Sequence, residues 1–140
     1  MAKVKMETKL AASPEILWRT IGAFNALPAW HPAVAKSEST GETKGSTRTL
    51  SLAGGGEIVE KLEAVSPTER LYKYSIVSGP LPVADYLAEI RVIDNQDGTS
   101  TVEWSSQFEP KNATESDAVK AIQGVYQAGL DNLRKMFGAK

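Results

Sequence analysis

The sequence predicts an α+β domain in which an antiparallel sheet of seven strands curves around one long C-terminal helix. Three observations lead to this prediction. Residues 34–110 consist of short runs of alternating apolar and polar residues separated by glycine- and proline-rich turns, as in consecutive antiparallel strands. The end of the chain has apolar residues spaced by three and four, which indicates an amphipathic helix. A first strand and two short helical segments come before the main run of strands.

The totals narrow the class of protein. A chain of 140 residues without repeats or linkers is expected to form one domain over residues 1–140. Its 16 basic and 17 acidic residues are scattered and leave a formal charge of −1, so neither nucleic acid nor an anionic membrane surface is indicated as a partner. With no cysteine and one histidine, disulfides, thiolate chemistry and multi-histidine metal sites are excluded. We therefore expect no metal and no cofactor.

Two further expectations concern location and assembly. No apolar run approaches the roughly 20 residues that a membrane helix requires, and the charged N-terminal segment has no signal-peptide core. We expect a soluble cytoplasmic protein without membrane insertion, either a monomer or a homodimer.

The first third of the chain predicts one strand and two short helices. In residues 4–10 the even positions are uncharged and the odd positions are Lys or Glu, which predicts a strand with one exposed face. Ser13–Glu15 predicts a helix start, because serine caps, proline fits the first turn and glutamate favours the positive end; Gly22 is the expected stop. Residues 25–32 form a short irregular or helical segment. The expected buried stripe of the first helix is Ile16, Leu17, Ile21 and Phe24.

The remaining strands are delimited by their turns. Gly54–Gly56 supplies the positive φ of a tight hairpin, and the prolines in Gly79–Val83 cannot donate to a sheet, so that segment must leave it. Four of the predicted strands cover residues 34–40, 46–52, 57–65 and 99–108. Two more lie on either side of the proline-rich loop: the first has Tyr72, Tyr74 and Ile76 on its apolar face, and the second has Tyr86, Ala88, Ile90 and Val92.

The C-terminal helix is predicted from Thr114–Asp117, which resembles a capping box, to about Phe137, with Gly138 as its stop. A sheet with one apolar face must be covered, and this helix is the largest available cover. The space between sheet and helix is filled either by side chains or by a ligand. The predicted apolar stripe is Val119, Ile122, Tyr126, Gly129, Leu130, Leu133 and Phe137.

The pairing register of the predicted hairpin places charged residues on the inner face of the sheet. Pairing Leu50 with Ile58 across the glycine turn places Arg48 opposite Glu60, on the same face as these apolar residues. Such a pair either orients a polar group of a ligand or satisfies itself as a buried ion pair. A register error of one residue would instead place it outside the sheet.

The next hairpin extends this polar patch. Pairing Leu62 with Tyr72 sets Glu60 beside Tyr74, so Arg48, Glu60 and Tyr74 are expected to be cross-strand neighbours. A buried carboxylate beside a phenol is also a candidate general base, with arginine stabilising a developing oxyanion. Arg48, Glu60 and Tyr74 are therefore our candidate catalytic residues.

Candidate ligand contacts are the inward residues of the strands, the Trp30 segment and the long helix. His31 is either an acid or base near neutral pH or an ordinary hydrogen-bonding residue, and Gly129 opens space either for a ligand or for close approach of the sheet. The predicted ligand-binding set is Leu27, Trp30, His31, Arg48, Leu50, Ile58, Glu60, Tyr74, Ile76, Leu81, Tyr86, Ala88, Trp104, Ser106, Ile122, Tyr126 and Gly129.

Several segments together resemble the START-like (SRPBCC) superfamily, in particular its bacterial polyketide cyclase/dehydrase-like branch. This superfamily shares the helix-grip fold of the birch pollen allergen. The resemblance covers nearly the whole chain and is carried by the order of elements and by Ala12–Trp18, Leu27–Pro32, Tyr74–Tyr86, Val102–Trp104 and Tyr126–Leu133.

The resemblance implies a deep apolar cavity between the sheet and the C-terminal helix. It also implies that Gly54–Gly56 and Gly79–Val83 lie near the cavity mouth, at positions similar to the gate and latch loops of plant abscisic acid receptors. The residues in both loops differ from those of the receptors, so hormone signalling is not expected.

Three functions remain open at this point. The first is binding of a small hydrophobic or amphipathic ligand, such as a polyketide, phenolic, isoprenoid or lipid-like compound. The second is a cofactor-free polyketide cyclase or dehydratase, with Glu60 as base, Arg48 polarising a carbonyl, and Tyr74 or His31 relaying a proton. The third is an accessory or cochaperone-like interaction protein whose cavity is vestigial.

Overall fold

A computed structural model describes residues 1–139, and its frame is one antiparallel sheet of seven strands. The order in the sheet is β1-β7-β6-β5-β4-β3-β2, so β2 to β7 pair in sequence order, β1 joins β7, and β1 and β2 form the two edges. The strand bounds agree closely with those predicted. They are β1 (Ala2–Leu10), β2 (Val34–Ser39), β3 (Thr47–Leu52), β4 (Glu57–Ser66), β5 (Leu71–Ser78), β6 (Val83–Asp94) and β7 (Ser100–Pro110).

One short α-helix and one turn of 3₁₀ helix connect β1 to β2. Helix α1 (Pro14–Ile21) begins where Ser13 Oγ accepts a hydrogen bond from Ile16 N at 3.4 Å, and it ends at Gly22, as predicted. The second predicted helix is the 3₁₀ turn Leu27–Ala29. The side chain of Ile16 points outward and is 46% exposed, so its assignment to the buried stripe was wrong; Pro14, Leu17 and Ile21 form that face.

Helix α2 (Glu115–Phe137) covers the concave face of the sheet and packs on β1 and β7. Thr114 Oγ1 accepts a hydrogen bond from Asp117 N at 3.1 Å, which confirms the predicted start. Beyond its end, Gly138 O accepts from Ala11 N at 2.9 Å, so the helix terminus is tied to the end of β1. The buried helix residues are Ala118, Ile122, Tyr126, Gly129, Leu130 and Leu133. Among the described residues, no helix is both long and apolar enough to cross a membrane.

The β3–β4 hairpin has the predicted register. Leu50 pairs with Ile58 and Arg48 pairs with Glu60, and all four side chains are buried. The turn between these strands has positive φ at Gly55 (97°), which a residue with a side chain rarely adopts. This short turn is why the register could be read from sequence.

The β4–β5 register differs from the prediction. Leu62 pairs with Tyr74 rather than with Tyr72, and Glu60 pairs with Ile76. The register shifts between Leu62 and Ala64, where β4 contains one extra residue. The observed partner of Leu62 lies two residues from the predicted one. The bulge shifts the ladder by one residue only, and the pairing already differs from the prediction next to the turn, where Ser66 pairs with Leu71. The side chain of Tyr74 is nevertheless buried.

Candidate functional site

A cavity of about 330 Å³ lies between the concave face of the sheet and helix α2. Its walls are mainly aliphatic and aromatic side chains, and their polar members include Glu60, His31 and two tyrosines. Gly54, Gly55 and Leu81 are part of the lining, so both loops that the resemblance implied to lie near the cavity mouth contact the cavity. The lining is therefore contributed by separated segments that the sheet curvature brings together.

Most of the predicted ligand contacts lie on this cavity, and six lie elsewhere. The residues that line it are Leu27, His31, Leu50, Ile58, Glu60, Tyr74, Ile76, Leu81, Tyr86, Trp104 and Ile122. The residues that do not line it are Trp30, Arg48, Ala88, Ser106, Tyr126 and Gly129, which are buried elsewhere in the core or the sheet. Contact of the first group with a ligand stays a prediction.

Sequence reasoning omitted several lining residues. Leu52 shares the inward parity of Leu50, and Val125 follows Ile122 by three positions on α2, so both carried a usable signal. Ala33 and Val34 had none, because they follow an irregular segment whose direction only the fold decides. The omitted lining residues are Ala33, Val34, Leu52, Ala53 and Val125.

Arg48 is the most enclosed charge of the site, with 1% of its surface exposed. Its Nε and Nη2 donate to Oε1 of Glu60 at 2.8 and 2.7 Å, and Nη1 donates to the carbonyl of Phe24 at 2.5 Å. The guanidinium lies 4.2 Å from the ring centroid of Phe24 and 5.1 Å from that of Tyr74. Arg48 does not line the cavity, and this position does not fit the predicted role of polarising a ligand carbonyl.

Glu60 presents one carboxylate oxygen to Arg48 and keeps the other unpaired. Both contacts with Arg48 use Oε1, and no group in residues 1–139 donates to Oε2. Glu60 is 5% exposed and lines the cavity. Burial raises the pKa of the Glu60 carboxyl, whereas the charge of Arg48 and its hydrogen bonds oppose that shift.

Three tyrosine hydroxyls and one indole form a buried network beside Glu60. Trp104 Nε1 donates to Tyr74 Oη at 2.9 Å, Tyr74 Oη lies 3.2 Å from Tyr86 Oη, and Tyr86 Oη lies 2.5 Å from Tyr126 Oη. The Trp104 ring stacks on Tyr126 with centroids 4.2 Å apart. Burial raises the pKa of Tyr74 and Tyr86 well above the usual value, so both remain neutral phenols.

His31 is held by backbone groups at both ring nitrogens. Ala33 N donates to Nδ1 at 3.2 Å, so Nδ1 is the acceptor and the proton is on Nε2, which donates to the carbonyl of Val125 at 2.7 Å. Burial lowers the pKa of His31, although the bond to Val125 opposes that shift. The imidazole therefore links the segment before β2 to helix α2, and this geometry does not favour a proton relay.

The space beside Gly129 is filled by rings. A Cβ at this position would lie 2.8 Å from His31 Cδ2 and 3.0 Å from Cζ3 of both Trp104 and Trp30. Asn132 Nδ2 donates to the carbonyl of Trp30 at 2.8 Å and holds this segment against α2. The sequence left open whether Gly129 provides space for a ligand or allows close packing against the helix, and these distances support close packing.

The fold and the cavity define a helix-grip protein, in which a curved antiparallel sheet encloses a pocket against one long C-terminal helix. Over residues 1–138 the chain matches the family described as polyketide cyclase/dehydrase and lipid transport, and it belongs to that family. The resemblance predicted from sequence is thereby confirmed. A comparison with curated proteins finds no match.

Solved structures share this architecture. The chain is similar to the protein XoxI from Bacillus cereus at 37% identity and a TM-score of 0.92, covering 98% of this chain and 96% of that one. An uncharacterised protein from Bacillus thuringiensis has 36% identity and a TM-score of 0.91, with 97% and 98% covered. The Zhui aromatase/cyclase from Streptomyces has 17% identity and a TM-score of 0.78, with 96% and 92% covered. At that identity the last likeness shows the fold alone.

Within residues 1–139 no group of three or more histidine, aspartate or glutamate side chains is placed to hold a metal ion. The polar groups that line this cavity include the carboxylate of Glu60, the phenols of Tyr74 and Tyr86, and the imidazole of His31, whose nitrogens are both engaged by backbone groups. Arg48 lies behind the carboxylate.

Proposed function

We propose that the protein binds a small hydrophobic or amphipathic molecule in the cavity between the sheet and α2. The observation that supports this most directly is the cavity of about 330 Å³ with a mainly apolar lining. Ligand sites commonly have volumes of about 300–1,000 Å³, apolar walls and a few polar groups that orient the ligand. In this proposal the orienting groups are Glu60, Tyr74 and Tyr86, all of which line the cavity.

Size and lining favour a compact ligand. The volume lies at the lower end of the usual range, and the rings of His31, Tyr74, Tyr86 and Trp104 are part of the lining. Among polyketide, phenolic, isoprenoid and lipid-like compounds, we infer that a ring compound fits better than a long acyl chain.

The proposal is tested by titrating the protein with a fluorescent naphthalene dye and by native mass spectrometry for retained small molecules. Leu52→Trp places a large side chain on the cavity wall and should abolish dye binding. Val77→Trp is the matched control, since Val77 is a strand residue that is 60% exposed and lies outside the cavity. Unchanged dye affinity in folded Leu52→Trp would refute binding in this cavity.

A second candidate is an enzyme that abstracts a proton from carbon next to a carbonyl, and the unpaired oxygen of Glu60 favours it. In that step Glu60 Oε2 takes the proton, the C–H electron pair forms the enolate double bond, and the carbonyl electrons move to oxygen. A hydroxyl of Tyr74 or Tyr86 would stabilise the enolate oxygen. Arg48 would hold Glu60 in position.

Deuterium exchange at the α-carbon of tetralone, followed by NMR in heavy water, tests this candidate. The protein should accelerate exchange, and Glu60→Gln should abolish the acceleration while tetralone still binds. Acceleration that survives in Glu60→Gln would exclude Glu60 as the base.

The remaining alternative is an accessory protein with a vestigial cavity. A vestigial cavity would be filled by side chains, and the cavity of about 330 Å³ argues against this alternative. Monomer or homodimer, and a cytoplasmic location, stay predictions; sedimentation equilibrium tests the first, and fractionation of the source cells tests the second.

A further inference from the structure

The cavity wall carries an acceptor that no protein group satisfies. Glu60 Oε2 has no donor among residues 1–139, although the side chain is only 7% exposed and the residue lines the cavity. Oε2 keeps some exposed surface, because it is not one of the fully buried polar atoms that lack a partner, and the cavity that Glu60 lines is where a ligand would meet it. A hydrogen bond to an ionised group contributes more than a neutral one. A ligand with a hydrogen-bond donor would therefore gain by pairing with this oxygen.

The charge that compensates Glu60 does not face the ligand. Arg48 donates through Nε, Nη1 and Nη2 to Glu60 and Phe24, and it lies outside the cavity lining. A bound anion would therefore meet the carboxylate first and the guanidinium only behind it. The apolar walls also disfavour any uncompensated charge, because removing an ion from water is costly.

The neighbouring phenols offer few free hydrogens. Trp104 can only donate, so Tyr74 Oη is its acceptor. The contacts of Tyr86 with Tyr74 and Tyr126 consume two of the three hydroxyl hydrogens. The polar end of the cavity is consequently richer in acceptors than in donors.

We propose that this cavity selects a neutral hydroxyl compound, an alcohol or phenol that donates a hydrogen bond to Glu60 Oε2, and rejects carboxylates of the same shape. This inference rests on the proposed ligand binding and goes beyond it by naming the polar group that the ligand must carry.

Three probes with one ring system test it: naphthol, its methyl ether and naphthoate, titrated calorimetrically into the wild-type protein. Naphthol keeps the donor, the ether keeps only an acceptor, and naphthoate adds a negative charge. We expect naphthol to bind about ten- to a hundredfold more tightly than the ether, as for a hydrogen bond to a charged group. Naphthoate should bind more weakly than either.

Two variants assign the preference to Glu60. Glu60→Gln leaves an oxygen that can accept from Arg48 but removes the negative charge, so the preference for naphthol should vanish and naphthoate should gain affinity. Glu60→Asp keeps the negative charge and retracts the carboxylate by one methylene, which should also reduce the advantage of naphthol. If Glu60→Gln does not fold, Glu60→Asp provides the comparison of naphthol with its ether.

The outcomes separate this inference from the proposed function. Equal affinity for naphthol and its ether, or tighter binding of naphthoate to the wild-type protein, would overturn donor selection while ligand binding stands. A preference for naphthol that persists unchanged in both variants would overturn the role of Glu60. If none of the probes binds, ligand binding in this cavity fails and this inference fails with it.

Discussion

Two glycines of helix α2 allow packing and helix propensity to be measured against each other. A Cβ added at Gly124 meets nothing within 4 Å. A Cβ added at Gly129 meets ring atoms of His31, Trp104 and Trp30 at 2.8–3.0 Å. Substitution by alanine at the two positions therefore makes the same chemical change in opposite surroundings.

The expected magnitudes follow from these distances. Alanine is favoured over glycine by about 1 kcal/mol in a helix interior, so Gly124→Ala should raise the free energy of unfolding by about that amount. At Gly129 the same gain is offset by overpacking against rigid rings, which costs about 1–3 kcal/mol. We expect Gly129→Ala to be less stable than Gly124→Ala by about 1–3 kcal/mol, or about 4 °C in Tm for each kcal/mol.

Urea unfolding followed by tryptophan fluorescence and circular dichroism measures the difference. Equal m values in the two variants would show that the unfolding transition is comparable. Dye binding should change little in Gly129→Ala, because Gly129 does not line the cavity. A Gly129→Ala protein as stable as Gly124→Ala would refute the packing explanation, and lost dye binding at full stability would restore the ligand explanation.

Three further predictions concern the buried ionisable groups. Burial raises the pKa of all four tyrosines above 10.0, so ionisation favours the unfolded chain, and stability should fall above pH 10. The slope should reach about 1.4 kcal/mol per pH unit for each tyrosine, and tyrosinate absorbance should rise only with unfolding, not before it. The pKa of His31 is lowered from 6.5, so the stability contributed by neutral His31 is present above pH 6.5 and lost as pH falls below it. Chemical denaturation at stepped pH should show a smaller loss for His31→Gln. Arg48→Met should destabilise by about 3–5 kcal/mol because Glu60 is left buried and unpaired, and the double variant with Glu60→Leu should recover much of that loss in urea titrations.

Periodicity and turn chemistry sufficed for most of the fold. The alternation in each strand, the caps at Ser13 and Thr114 and the glycine turn are local features, and each predicts its element from neighbours in sequence. The Arg48–Glu60 pair could be predicted for the same reason, since a short hairpin sets its register within a few residues of the turn.

Long-range packing decided what local patterns cannot contain. The pairing of Tyr74 differs from the prediction because the turn between β4 and β5 and a bulge of one residue in β4 together set the register, and neither alters the apolar alternation that predicts a strand. Parity places Arg48 and Glu60 on one face but does not distinguish the lining of a cavity from the layer behind it.

The same limit applies to Gly129 and to the free oxygen of Glu60. Glycine fits at position 129 because the rings of His31, Trp30 and Trp104 pack against the helix there, and these rings come from two distant segments of the chain. The oxygen that Glu60 leaves unpaired follows from the position of Arg48, which donates twice to Oε1 and once to the carbonyl of Phe24. Sequence periodicity determines which face a side chain occupies, whereas the distances between faces exist only once the sheet has curved around its helix.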